Sequence, residues 1–374
     1  MEGRQVGISL LAFSPHRLAG AGTYTVGLTK ALTARAPDRY TVFVPRRHER
    51  LWRESLPPAV RVVVCGPDPE RRALRVVFEQ TGLRRLALER GLHTVFFPHL
   101  FAPQWKTPRA VVTVYDLLLL SSLTDFPWYK RLYHRWAYRE VGKRAAHIVT
   151  ISEFCRRDIV RRLAVPPERV SVASPGVDAQ FVLEPPSGAR ALDLPTRYLL
   201  SVAGSYPHKR LQTVLDAFAG VCTEDPDLHL VVAGTYAGER DAVPALLRAA
   251  ERQGVAGRVR VLQRLARSEM PGLFAGAAAL VSASEFEGFG IPVMEAIAVG
   301  CPVAASPAEA VVEVLGGCGW IATDFSAAAL ADAVRSALLA RDQGADVLRV
   351  AASRVRSHYQ WASAAAAVEA VLVS

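Results

Sequence analysis

Two glutamates frame the most informative stretch of the chain. In Ser284-Glu-Phe-Glu-Gly-Phe-Gly-Ile-Pro-Val-Met-Glu295, Glu287 and Glu295 stand on either side of a Gly-Phe-Gly turn and a proline. The apolar run before Ser284 reads as a strand, Pro292 as the opening of a helix, and Gly300-Cys-Pro302 as its end. Glu287 is then expected on the loop at the strand's carboxyl end, and Glu295 in the first turn of the helix. Gly288 and Gly290 let a ligand approach the backbone, and the unpaired N–H groups of a helix start suit phosphate oxygens. A carboxylate accepts from two neighbouring hydroxyls. Together these groups suit a molecule with hydroxyls on both sides of a phosphate. Spacing alone also allows a helix start that merely favours acidic residues.

A second strand-to-helix turn, Ala203-Gly-Ser-Tyr-Pro-His-Lys-Arg-Leu211, brings Gly204 and a run of cations, His208, Lys209 and Arg210. A lysine at a helix start is a mobile point charge for a diphosphate. Near the N-terminus, Leu18-Ala-Gly-Ala-Gly-Thr-Tyr24 follows a strand and opens a helix, with Gly20 and Gly22 in a Gly-x-Gly that is weak evidence by itself. The one Asp-x-Asp, Asp225-Pro-Asp227, reads as a solvated turn, and no metal site is expected.

These segments, in this order, resemble the retaining glycosyltransferases of the GT-B fold, family 4. Glu-Gly-Phe-Gly-x-Pro-x-x-Glu-Ala-x-Ala-x-Gly-x-Pro-Val is nearly the family's full E-x7-E pattern. The resemblance implies that Glu287 binds donor-sugar hydroxyls and Glu295 the ribose, with Gly288, Phe289 and Gly290 assisting. It assigns the diphosphate to Gly204 and Lys209, with His208 standing where the family has Arg and Arg210 beside it. Arg264 falls where the nucleotide base lies, and Gly20 and Gly22 match a loop that approaches the diphosphate. Val114-Tyr-Asp-Leu117 resembles the family's Val-His-Asp-Leu, so Tyr115 stands at the place of a histidine near the reacting carbon. Asp116 and His99, in Phe97-Pro-His-Leu, border the acceptor side or are ordinary structural residues.

Short β-branched runs alternate with amphipathic stretches along the whole chain. Val6–Phe13, Tyr40–Val44, Val60–Val64, Thr94–Phe97, Ala110–Val114 and Ile148–Ile151 read as strands, separated by helices that include Arg71–Arg90 and Trp128–Ala145. A proline-rich passage, Pro166–Thr196, interrupts the pattern before it resumes at Tyr198. The alternation predicts an α/β class of two Rossmann-like doubly wound domains facing a central cleft, which the resemblance identifies with the GT-B fold. The domains are 1–180, on the acceptor side, and 195–355, for the nucleotide sugar. A last helix within 356–374 packs back on the first domain.

Charge is distributed unevenly. Residues 1–180 carry 29 Lys and Arg against 15 Asp and Glu, and the remainder 16 against 20. A basic first half calls for an anionic partner. In Trp128–Arg144, Trp128, Leu132, Trp136 and Val141 line one side and Lys130, Arg131, Arg135, Arg139 and Lys143 cluster elsewhere. That pattern fits a membrane interface or a helix packed on a sheet. Five scattered cysteines without a CxxC pair read as free thiols. No signal segment and no apolar run of membrane-spanning length is expected.

The resemblance thus implies a metal-independent, retaining hexosyltransferase. It would move a mannose- or rhamnose-like sugar from a nucleotide-sugar donor to a saccharide, lipid-linked or small-molecule acceptor. The expected place is the cytoplasm, or the inner face of the cell membrane through an anionic surface, with no nucleic acid partner. The competing expectation is a catalytically silent glycosyltransferase-like partner protein.

Overall fold

The computed structural model describes residues 4–13, 20–121, 123, 128–183, 194–204, 206–234, 242–263, 265–344 and 346–374. The chain forms two compact units, one of Met1–Gly176 with Tyr359–Ser374 and one of Val177–His358.

In the first unit the strands are β1 (Val6–Ser9), β2 (Tyr40–Val44), β3 (Arg61–Val64), β4 (Thr94–Phe97), β5 (Arg109–Thr113), β6 (His147–Thr150) and β7 (Val170–Val172). The helices between them are α1 (Gly20–Arg35), α2 (Glu49–Ser55), α3 (Arg72–Gln80), α4 (Gly82–Glu89), α5 (Trp128–Arg144) and α6 (Glu153–Leu163). The sheet runs β3-β2-β1-β4-β5-β6-β7, with every pairing parallel. Strands buried on both faces read as continuous apolar runs, as Tyr40–Val44 does with all five residues buried.

The second unit repeats the plan. Its strands are β8 (Tyr198–Val202), β9 (His229–Gly234), β10 (Val259–Gln263), β11 (Ala279–Ser282), β12 (Val303–Ala305) and β13 (Trp320–Ile321). Its helices are α7 (Leu211–Val221), α8 (Ala242–Arg252), α9 (Met270–Gly276), α10 (Ile291–Ala298), α11 (Glu309–Leu315), α12 (Ala327–Gln343) and α13 (Asp346–His358). The sheet order is β10-β9-β8-β11-β12-β13, again parallel. In both sheets the order reverses beside the first strand, at β1/β4 and at β8/β11. The crevice at the carboxyl ends of such a pair is where open α/β sheets bind ligands.

The last helix, α14 (Trp361–Leu372), belongs to the first unit and packs on α1. Gly27 makes that contact possible, because a Cβ there would lie 2.3 Å from the Trp361 ring. At the other end of the helix Glu369 pairs with Arg35 at 3.0 Å and with Arg39.

Three local expectations change. The stretch Arg71–Arg90 is two helices rather than one. The Phe78 ring packs where a side chain on Gly82 would be, within 2.4 Å of its Cβ position, and the chain breaks between α3 and α4. Strands β7 and β13 carry no long apolar run and do not stand out in the sequence. In α5 the expected apolar line divides: Trp128, Leu132 and Trp136 are exposed, while Ala137, Tyr138, Val141 and Gly142 are buried.

Candidate functional site

The switch point of the second sheet collects the strongest candidates. Past β8, Pro207–Lys209 forms a single 3-10 turn that delivers Lys209 just ahead of α7. Past β11, the loop from Ala283 to Gly290 carries Glu287. The two meet: Lys209 Nζ lies 2.5 Å from Glu287 Oε1, which also accepts from Ser284 Oγ at 2.7 Å. Both partners of this ion pair keep about a fifth of their side chains exposed, 20% and 19%. A backbone bond, Glu285 N–H to the His208 carbonyl at 2.8 Å, ties the two loops together.

Gly290 caps α10 with φ at +102°, a conformation that favours glycine, and turns the chain from loop into helix. Phe289 is buried beside it. Glu295 lies in the second turn of α10, not the first, because the helix begins at Ile291 and Pro292 is its second residue. Its carboxylate is 2% exposed and pairs with Arg267. The Arg267 guanidinium also donates to Asp178 Oδ2, at 2.7 and 3.2 Å, and lies 4.7 Å over the Phe181 ring. Burial pushes the Glu295 carboxyl up to about 7, against the pull of Arg267.

Of the neighbouring cations, His208 is buried, and burial together with the Lys209 charge holds its imidazole below the ordinary value. Arg210 adopts a left-handed backbone at φ +48°, faces Glu285 at 3.8 Å, and lies 5.7 Å over Phe325. Gly204 directly follows β8 and Ala203. Arg264 lies outside the described residues. Lys209, Glu287 and Glu295 therefore belong to one unit, Glu287 paired with Lys209 and Glu295 with Arg267.

In the first unit, Gly20 and Gly22 are helical residues of α1 rather than part of a loop. Tyr115 follows β5 and its hydroxyl is turned inward. It donates to the Pro98 carbonyl at 2.8 Å, with Thr25 Oγ1 at 3.1 Å and the Ala21 carbonyl at 3.3 Å. Burial raises the phenol's pKa, so it stays protonated. Asp116 accepts from the Leu118 N–H at 2.9 Å and its carbonyl from the Tyr138 hydroxyl at 3.1 Å, which shapes the turn after β5. His99 follows β4 and meets Glu79 at 3.0 Å.

Residues 188–352 match the family model described as glycosyl transferases group 1, and residues 18–181 the model described as glycosyltransferase family 4. Each half of the chain is thus similar to a glycosyltransferase family. Among curated relatives it is 28% identical over 232 residues to an O-antigen chain mannosyltransferase B of Escherichia coli, covering 60% of each chain. It is 31% identical over 195 residues to an MMP alpha-(1->4)-mannosyltransferase of Mycolicibacterium hassiacum, covering 50% of this chain and 45% of that one. The chain thus spans about half the length of the curated relatives it matches. The structure of Anabaena Alr3699/HepE in complex with UDP and glucose superposes with a TM-score of 0.75 at 18% identity, over 99% of this chain and 100% of that one. At that identity the likeness establishes the GT-B fold alone.

Lys209, Glu287 and Glu295 are legible in the sequence, whereas Arg267 and the pairing of Asp178 with it are not. Arg267 stands 28 positions before Glu295 in a separate turn, with no motif around it that marks a partner. Ser284, three residues before Glu287, donates its hydroxyl to the Glu287 carboxylate. Among the described residues no cluster of His, Cys, Asp and Glu could hold a metal ion.

Proposed function

We propose that the chain transfers a mannose- or rhamnose-like hexose from a nucleoside-diphosphate sugar to an acceptor hydroxyl, with retention at the anomeric carbon. The observation that carries the proposal is the Lys209–Glu287 ion pair at the β8/β11 switch point, with Glu287 on the loop that leads into α10. Lys209 neutralises charge on the departing diphosphate, a task the proposal gives to this side chain rather than to a metal ion. Glu287 accepts from donor-sugar hydroxyls, and Glu295 from the ribose once Arg267 yields. Backbone N–H groups of Gly288–Gly290 and the Arg210 charge assist. The bond from the anomeric carbon to the phosphate oxygen breaks, the acceptor oxygen bonds on the same face, and its proton passes to that phosphate oxygen. No carboxylate base is required.

The names of the curated relatives support a hexose donor, and the UDP and glucose in the Anabaena structure support a nucleotide sugar. The acceptor we propose is a saccharide carried on a lipid at the cytoplasmic face of a membrane. It is supported by the exposed Trp128, Tyr129, Leu132, Tyr133 and Trp136 of α5, interleaved with Lys130, Arg131 and Arg135. Among the described residues no helix is long and apolar enough to cross a membrane.

Thermal-shift screening against UDP, GDP, dTDP and ADP sugars tests the reading. One class of donor is expected to raise the unfolding temperature through binding to the native state alone. No stabilisation by any of them overturns it. A stabilising donor that the lone protein neither hydrolyses nor transfers favours a silent glycosyltransferase-like partner, the reading to which the engaged Tyr115 hydroxyl lends support.

A further inference from the structure

The first sheet has its own switch point, at β1/β4, and a buried carboxylate stands there that the donor-site assignment does not use. Glu79, the next-to-last residue of α3, is 1% exposed. Its Oε1 accepts from Ser9 Oγ, at the end of β1, at 3.1 Å. The same oxygen meets Nε2 of His99, two residues past β4, at 3.0 Å. Its other oxygen, Oε2, has no hydrogen bond among the described residues and faces only the Arg75 guanidinium, at 3.6 Å. Burying a carboxylate is costly unless it is paired and hydrogen-bonded. Strand β1, the turn after β4 and helix α3 supply the partners of this one.

The consequence falls on His99. With Nε2 against a carboxylate, the neutral ring carries its proton on Nε2 and donates it to Glu79, which leaves Nδ1 as a hydrogen-bond acceptor. Nδ1 has no partner among the described residues, and the side chain keeps 16% of its surface exposed. The ring is also held edge-on to Phe97, with centroids 5.8 Å apart. The neighbouring carbonyl, of Pro98, accepts from the Tyr115 hydroxyl, so the phenol is engaged within the fold while part of the imidazole stays exposed.

We propose that Glu79 is a positioning residue that fixes His99 as an acceptor for a saccharide hydroxyl at the carboxyl edge of the first sheet. This rests on the sugar-transfer reading for the identity of the ligand, and on geometry alone for the Glu79–His99 couple.

Two measurements on the full chain test it. The first is NMR of isotope-labelled histidine ring nitrogens in mildly alkaline buffer, with His99 assigned by the signal lost in His99→Gln. The wild-type ring is expected as the Nε2–H form. In Glu79→Gln, whose amide can turn its own donor to the ring, and in Glu79→Leu, the signals move toward the Nδ1–H form. An unchanged tautomer in the variants that fold overturns the couple. The second is transfer to methyl α-D-mannopyranoside from whichever donor the sugar panel selects. Glu79→Gln is expected to raise KM for this acceptor about tenfold, the loss of one well-placed hydrogen bond. Hydrolysis of the donor without acceptor stays within about twofold of wild type. An unchanged acceptor KM overturns the ligand role. If wild type turns over no nucleotide sugar, the sugar-transfer reading fails and takes the ligand role with it, while the tautomer still decides the Glu79–His99 couple.

Discussion

Arg267 holds Glu295 and Asp178 at once: one guanidinium bridges the buried carboxylate of α10 and a carboxylate from the first residues of the second unit. The carboxylate proposed for the ribose is thus kept paired by a residue of the same unit, and ligand hydroxyls must compete with that pairing.

Removing Arg267 leaves Glu295 buried without its cation. Arg267→Met is expected to destabilise the protein by about 3 kcal/mol, the scale for breaking a buried pair. Arg267→Met with Glu295→Gln should recover at least half of that loss, because the charge is gone. Thermal unfolding of the two single variants and the double variant checks this. Additive losses would mean that the two side chains do not depend on one another.

The Glu295 carboxyl, raised to about 7 by burial with Arg267 opposing and Asp178 adding to the rise, gives two pH dependences of opposite sign. In the folded protein its value lies above that of an unfolded carboxyl. Its contribution to stability is full below the unfolded value and is lost as pH rises through about 7. Ribose binding uses the ionised form as acceptor. Affinity for the nucleoside diphosphate of the selected donor should therefore fall as pH drops through about 7 and level off above it. Calorimetric titration across that range reads the sign directly, and an affinity that rises on acidification contradicts the role.

Gly27 offers a test of how α14 docks. Helix propensity alone favours Ala over Gly by about 1 kcal/mol. The Cβ would lie 2.3 Å from the Trp361 ring, however, and the overpacking penalty of about 1–3 kcal/mol should win. Gly27→Ala is expected to lower the unfolding temperature, and to become neutral or stabilising in a Trp361→Ala background. A stabilising Gly27→Ala in the wild-type chain would show that the close approach costs nothing.

Membrane contact through α5 predicts a specific loss. Flotation with phosphatidylglycerol vesicles should carry the wild-type chain up, and high salt should weaken binding as charges are screened. Trp128→Ala with Trp136→Ala should remove most of it, since both rings are exposed and no core contact is lost. Equal binding by the variant, or by neutral vesicles, counts against this face.

Much of this architecture was legible in the chain. Buried strands of a parallel sheet are dense in Val, Ile, Leu and Phe, so Tyr40–Val44, Thr94–Phe97, Ala279–Ser282 and Val303–Ala305 announce themselves with correct ends. Strands β7 and β13 did not: β7 lies inside the proline-rich passage that interrupts the pattern, and β13 is only two residues long. The α3–α4 break depends on a ring packed over Gly82, which is a tertiary fact. The same division holds for the candidate site. Glu287, Gly290 and Glu295 lie in one local motif and could be read from spacing. Arg267 on Glu295 and Ser9 on Glu79 join residues 28 and 70 positions apart, and nothing in their flanking sequence states the contact.

The most direct test of the donor-site assignment compares Glu287→Ala with Glu295→Ala by calorimetry, using the selected nucleotide sugar and its free nucleoside diphosphate. Glu295→Ala should weaken both ligands about tenfold or more, as lost ribose contacts require. Glu287→Ala should leave the free nucleotide within about twofold of wild type and abolish the added affinity from the sugar. Equal losses for both ligands in both variants would contradict the division of the donor between these two carboxylates.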